Sequence, residues 1–194
     1  MLDNVNDKTL IIKAASSLSQ LLDAVTVYAP RIELISAVIT KAIQNNNKIL
    51  IAGNGGSAAE ATHIAAEFTG RFKRERIGWP AISLSTDLSA VTAIANDYGY
   101  DKVFARQVEA LGSEGDIFIA LSTSGNSENL FLALSEARKR GLTPVSLLGK
   151  TGGKMKGESD IEIIIPSEDS ARIQEVHLHI LHIICELVEN NLTA

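Results

Sequence analysis

His63 and Glu67 stand four residues apart in "GSAAEATHIAAEF". In a helix that spacing puts an imidazole and a carboxylate on one face, where both could touch one metal ion or one substrate, although a solvated surface pair has the same pattern. Near the other end of the chain, "ARIQEVHLHILHIICELVE" carries Gln174, Leu178, Leu181 and His182 at i, i+4, i+7 and i+8. Gln174 and His182 therefore lie toward one side of that helix, with His177 near them and His179 pointing well away. His177 and His179 are expected to be satisfied core histidines. If the two helices face each other, His63, Glu67, Gln174 and His182 make a mixed nitrogen and oxygen set for a divalent metal, and the imidazoles favour zinc.

Two loops could hold the rest of a ligand. "ILIAGNGGSAAEA" ends an apolar run at Gly53 and opens a helical pattern after three glycines. Gly53, Gly55 and Ala58 fit the spacing of a dinucleotide turn, but the acidic residue such a site needs has no good candidate: Asp87 comes late and Glu75 sits in the charged run "RFKRER". The turn could equally close a tight strand-to-helix connection. "LSTSGNSENL" offers the hydroxyls of Ser122, Thr123, Ser124 and Ser127 around Gly125, just before another helical pattern. A helix N-terminus supplies free N–H groups and positive potential, so this loop suits a phosphomonoester without a lysine or magnesium. The plain alternative is that Ser127 or Asn126 caps the helix. No G-x-x-x-x-G-K-[ST] pattern occurs, so phosphoryl transfer from a nucleotide is not suggested.

These residues need elements to position them. Strand-like runs recur at 48–53, 81–85, 116–121, 144–149 and 160–166, most of them separated by helical patterns, and two helices precede them in the first 45 residues. Short β-branched runs alternating with helices predict an α/β fold with a mainly parallel sheet covered on both faces. Ligands of such sheets sit at the carboxyl ends of the strands, where the glycine turn and the serine loop both fall. The glycine-rich "GKTGGKMKG" (149–157) reads as a connection or a mobile lid.

The bulk composition agrees with one domain over 1–194, with a helical lead-in to about residue 46. A net charge of -5 gives no basic footprint for nucleic acid. The single cysteine, Cys185, excludes an internal disulfide and reads as a packed thiol in a reducing compartment, the cytoplasm. The N-terminus "MLDNVNDKTL" has acidic residues where a secretory signal would have basic ones, and no uncharged apolar stretch reaches the roughly 20 residues needed to span a bilayer, so no membrane partner is expected.

Taken together, "GNGGSAAEATHIAAEFTGRF", "PAISLSTD", "AIANDYGYDKVFARQVEALG", "GDIFIALSTSGNSENL" and "SARIQEVHLHILHIICELVE" resemble the bacterial phosphoheptose isomerases of the sugar isomerase (SIS) fold, over essentially the whole chain. The resemblance implies interconversion of sedoheptulose 7-phosphate and D-glycero-D-manno-heptose 7-phosphate, the first step toward the heptose of lipopolysaccharide, by a cytoplasmic homotetramer. It implies substrate contacts at Asn54, Gly55, Gly56, Ser57, Asn96, Asp97, Ser122, Thr123, Ser124, Ser127 and Gln174, and a zinc site of His63, Glu67, Gln174 and His182, with no nucleotide cofactor. Moving a carbonyl between neighbouring carbons needs a base, for which Glu67 is the candidate, and an acid, for which His182 is. A rival of a different class is a non-catalytic SIS-fold protein that binds the bacterial replication initiator and is similar across "TAIAND" and "ARIQE". That relative lacks the helix carboxylate and the final-helix histidine, both present here. A sugar-phosphate-sensing domain would need only the serine loop.

Overall fold

The fold, a computed structural model, describes residues 7–193. Residues 1–6, on which the reading of the N-terminus partly rests, lie outside the described residues. The chain runs α1 (Asp7–Asp23), a 3-10 turn (Ala24–Tyr28), α2 (Ala29–Gln44), β1 (Ile49–Gly53), α3 (Gly56–Thr69), β2 (Ala81–Ser83), α4 (Leu88–Tyr98) and α5 (Val103–Leu111). It continues through β3 (Ile117–Ser122), α6 (Glu128–Lys139), β4 (Thr143–Gly149), β5 (Ile161–Ile165) and α7 (Ser170–Thr193). The five strands pair in the order β2-β1-β3-β4-β5, all parallel, so the expected mainly parallel sheet is wholly so.

Alternation along the strands splits the core in two. Ile49, Ile51, Ile117, Ile119 and Leu121 face the layer that holds α2, α3 and α7, where Ile35, Ile64, Phe68, Ile180 and Ile184 meet them. Leu50, Ala52, Phe118 and Ala120 face the opposite layer, with Val108 of α5 and Leu130 and Leu134 of α6. The central strands β1 and β3 are buried along their whole length because neither of their faces meets water, whereas the edge strands β2 and β5 expose Ile82 and half-bury Glu162. At the amino end of the sheet, Asp116 ties β1 to β3. Burial pushes its carboxyl up, but the N–H groups of Lys48 and Ser113, the Lys48 ammonium 2.6 Å away and the Asn47 amide outweigh burial and hold it below the usual range.

The strand order reverses between β1 and β3, so the crevice outside their carboxyl ends is the switch point where doubly wound sheets bind ligands. The glycine turn follows β1 and the serine loop follows β3, on either side of that crevice. The stretch Asp7–Gln44 is apolar enough by length and composition to resemble a membrane span. It is broken by the 3-10 turn and by Pro30, and α1 and α2 both pack on α7.

Candidate active site

α3 begins at the glycine turn without a side-chain cap, since its N-cap is Gly55 at φ +56°, a conformation that glycine adopts without strain. Gly56 is demanded by contact. A Cβ there would stand 2.5 Å from Nε2 of Gln174, whose amide reaches over from α7 and donates to the Ser57 hydroxyl (3.4 Å). Asn54, the last residue before the turn, exchanges two amide hydrogen bonds with Asn129 of α6, each 2.9 Å long.

Across the crevice, Ser127 occupies the N-cap of α6 but makes no capping bond; its hydroxyl lies 3.1 Å from that of Ser122, which accepts from the N–H of Gly125. The plain alternative, a loop whose Ser127 side chain caps the helix, is therefore not what the structure shows. Ser124 accepts from the N–H of Asn126 at 3.1 Å, and its own hydroxyl proton stays available. Ser124 and Thr123 are half-buried at the mouth. Behind the loop, the segment 149–157 is a packed connection: Met155 is buried and donates its N–H to the Gly125 carbonyl, and the Lys154 N–H donates to the Asn126 side chain. A Cβ on Gly125 would collide with the Gly152 carbonyl at 1.9 Å, so this contact, rather than a lid, explains the glycines. Asn96 donates to Asp97 (2.8 Å), and both stand exposed on the last turn of α4, just before Tyr100.

The two helices do face each other. Nε2 of His63 lies 2.9 Å from Oε1 of Glu67 and 3.3 Å from Nε2 of His182, and the three ligand atoms fall within 4.8 Å of one another. Two imidazole nitrogens turned toward each other share at most one proton, whereas a cation would satisfy both lone pairs; the N2O donor set fits zinc. Burial, then the neighbouring His63, lowers the pKa of His182 from its ordinary value, while Glu67 pulls the other way.

Gln174 is not part of that cluster. Its amide lies at Gly56 and Ser57, seven residues before His63 on α3, which is about 10 Å of helix. The fourfold set read from spacing becomes three and one within a single chain. The two remaining histidines also part ways. His177 is buried as expected and donates from Nε2 to the Leu148 carbonyl (3.0 Å), burial taking its pKa down to about 4. His179 is exposed, against expectation, beside Leu22, Val25 and Ile183; its position opposite the apolar seam leaves it outside the core.

A segment that looked merely charged positions the cluster. Glu189 of α7 accepts from the N–H groups of Phe72, Lys73 and Arg74 and from Arg76, fixing residues 72–76. Phe72 is thereby stacked on the His182 ring, 5.5 Å between centroids and 13° from parallel. Arg76 in turn donates to the carbonyls of Glu67 and Phe68 at the end of α3 and lies over Trp79. Glu60, Asn129 and Glu189 escaped the reading of the sequence. Each occupies a core position of its helix, at i, i+4 spacing from Ile64, Ala133 and Cys185, and a polar residue on an apolar stripe was the available signal.

Comparison with known proteins gives the family. The SIS domain family matches residues 14–149. The phosphoheptose isomerase of Helicobacter pylori (strain P12) is 56% identical over 154 residues, 79% of this chain and 80% of that protein. The solved phosphoheptose isomerases of Neisseria gonorrhoeae and Francisella tularensis superpose with TM-scores of 0.85, at 37% and 34% identity, covering 94% of this chain and 100% and 99% of theirs. These relatives favour an enzyme over the non-catalytic rival, and the chain belongs to the phosphoheptose isomerases of the SIS domain family, enzymes that isomerise a sugar phosphate.

Proposed function

We propose that the chain interconverts sedoheptulose 7-phosphate and D-glycero-D-manno-heptose 7-phosphate in the cytoplasm, feeding the heptose of lipopolysaccharide. The observation that carries this reading is the cluster of Glu67, His63 and His182, formed where α3, the helix that begins at the glycine turn, faces α7. The free N–H groups at the start of α6 and the hydroxyls of Ser122, Thr123, Ser124 and Ser127 hold the phosphate. Asn54, Gly55, Gly56, Ser57 and Gln174 line the neighbouring edge, with Asn96 and Asp97 at the rim. Glu67 takes the proton from the carbon beside the carbonyl and returns it to the adjacent carbon through an enediol. His182 donates its N–H to the oxygen that gains charge. A zinc ion held by His63, Glu67 and His182 would supply Lewis acidity at that oxygen.

The distance between Gln174 and the cluster bears on assembly. A ligand seated on the serine loop of one chain meets the base most easily if another copy brings its cluster, and Gln174 completes the metal's ligands in the same way. A homotetramer gives that arrangement and covers the exposed Leu10, Ile11, Ile12 and Leu34 of α1 and α2. Light scattering should give about four times 20.8 kDa at micromolar protein; a monomer mass would remove the proposal.

The function is tested by incubating metal-replete protein with sedoheptulose 7-phosphate in deuterated water. Heptose 7-phosphate carrying solvent deuterium at the reacting carbon is the expected product, and no conversion would sink the reading. Glu67→Gln should lower turnover by about 10² to 10⁴-fold. Metal content and substrate affinity in the same variant separate a lost base from a lost ligand. Near-normal turnover would mean that the base is another residue.

A further inference from the structure

The crevice at the switch point is spanned by a contact that the chemistry above does not use. Asn129 is buried, at the second position of α6, where a first-turn polar side chain would ordinarily face water. Its Oδ1 accepts from the N–H of Leu130 (2.9 Å), a donor that cannot reverse its role, so the orientation of the amide is fixed. The same oxygen accepts from Nδ2 of Asn54, and Nδ2 of Asn129 donates to Oδ1 of Asn54, both at 2.9 Å. Tyr100, at the foot of α5, adds a second donor, its hydroxyl 2.9 Å from that same Oδ1 of Asn54. Turning the Asn54 amide over would set donor against donor at Asn129. Its oxygen is therefore consumed, and one N–H remains.

We infer that Asn129 and Tyr100 are positioning residues that hold the glycine turn to the start of α6 and make Asn54 present a hydrogen-bond donor, never an acceptor, to the ligand. The inference rests on the proposed reading of Asn54 as a substrate contact. Because one end of the clasp lies on the phosphate-binding helix and the other on the turn, it also sets the width of the crevice. The group of the substrate that meets Asn54 must then be an oxygen with a free lone pair. A clasp made of neutral amides achieves this without placing a charge beside a dianionic ligand, which a carboxylate at position 54 or 129 would do.

The variant Asn129→Asp is isosteric and keeps both acceptor contacts, but sets a carboxylate oxygen against Oδ1 of Asn54. With the metal-loaded enzyme, KM for sedoheptulose 7-phosphate should rise roughly tenfold or more while kcat stays within a few-fold, and Tyr100→Phe should raise KM by roughly two- to tenfold. In an Asn54→Ala background, Asn129→Asp should add little, since it acts through Asn54. An additive effect in that background, or an unchanged KM in both Asn129→Asp and Tyr100→Phe, would overturn the clasp; should Asn129→Asp not fold, Tyr100→Phe decides alone. If the parent enzyme converts no heptose phosphate, it is the reading of the site that fails. The clasp is then judged by NMR of the side-chain amides: the Asn129 NH2 protons should be protected from exchange in the parent, and rapid exchange would overturn it.

Discussion

Glu189 and Glu60 are two glutamates buried on neighbouring helices of one layer, and they have been treated oppositely. Glu189 has four donors, and although burial pushes its carboxyl up, the N–H groups of Lys73, Arg74 and Phe72 and the Arg76 guanidinium hold it below the usual range. Glu60, on α3 between the glycine turn and the cluster of His63 and Glu67, has none in hydrogen-bonding position: both oxygens are buried without a partner. Burial pushes its pKa up to about 7, and the nearby Ser57 hydroxyl offsets only part of that. Burial alone thus says little about what a carboxylate does. What surrounds it decides whether it is a staple or a liability, and a liability one turn from a reaction site is a group to test.

The largest effect should come from Glu189→Ala. The change would strand three main-chain N–H groups and a guanidinium whose side chain is 4% exposed. Removing one partner of such a pair costs about 3 to 5 kcal/mol, far above the median for surface pairs, and urea unfolding measures it. Stability from the native Glu189 is present above the ordinary carboxylate pKa and is lost as pH falls through its lowered folded value. Release of residues 72–76 should also loosen Phe72 from His182 and weaken metal retention. A cost below about 1 kcal/mol would erase the contrast with Glu60, because Glu189 would then be another lightly held carboxylate.

Much of this was legible from residue patterns. Strand starts fell within a residue of where apolar β-branched runs placed them, because parallel strands buried on both faces leave an uninterrupted signal. The pairing of His63 with Glu67 followed from helical spacing, whereas the meeting with His182 depended on the two helices facing each other, which spacing left open. Gln174 was joined to His182 because the two share a side of the helix, but their separation in sequence already puts about 12 Å of helix axis between them, and the reading weighed only the angle around the helix. His179 was misread for a related reason: a helix rich in apolar residues buries only the stripe that faces its neighbours. The partners of Glu189 lie 113 to 117 residues away in sequence, and the Asn54–Asn129 exchange spans 75. Such pairings exist only once the sheet has set its order.

The smaller and sharper test is Glu60→Gln, which keeps the shape and removes the charge. In the folded chain Glu60 titrates at about 7, against an ordinary 4.5. Between those values the folded state holds a proton that the unfolded state has released. Stability must therefore fall as pH rises through that window, by at most about 3 kcal/mol in total, and stay at its lower level above it. Glutamine cannot titrate, so the variant should lack this slope. Urea unfolding at a fixed protein concentration should find the variant close to the parent at pH 5 and about 1 to 3 kcal/mol more stable at pH 8. The opposite sign at pH 8, a variant less stable than the parent, would mean that the ionised Glu60 has a favourable partner after all. Glu60 would then stand with Glu189 as a staple, and that partner would have to come from another copy of the chain or from a bound ligand.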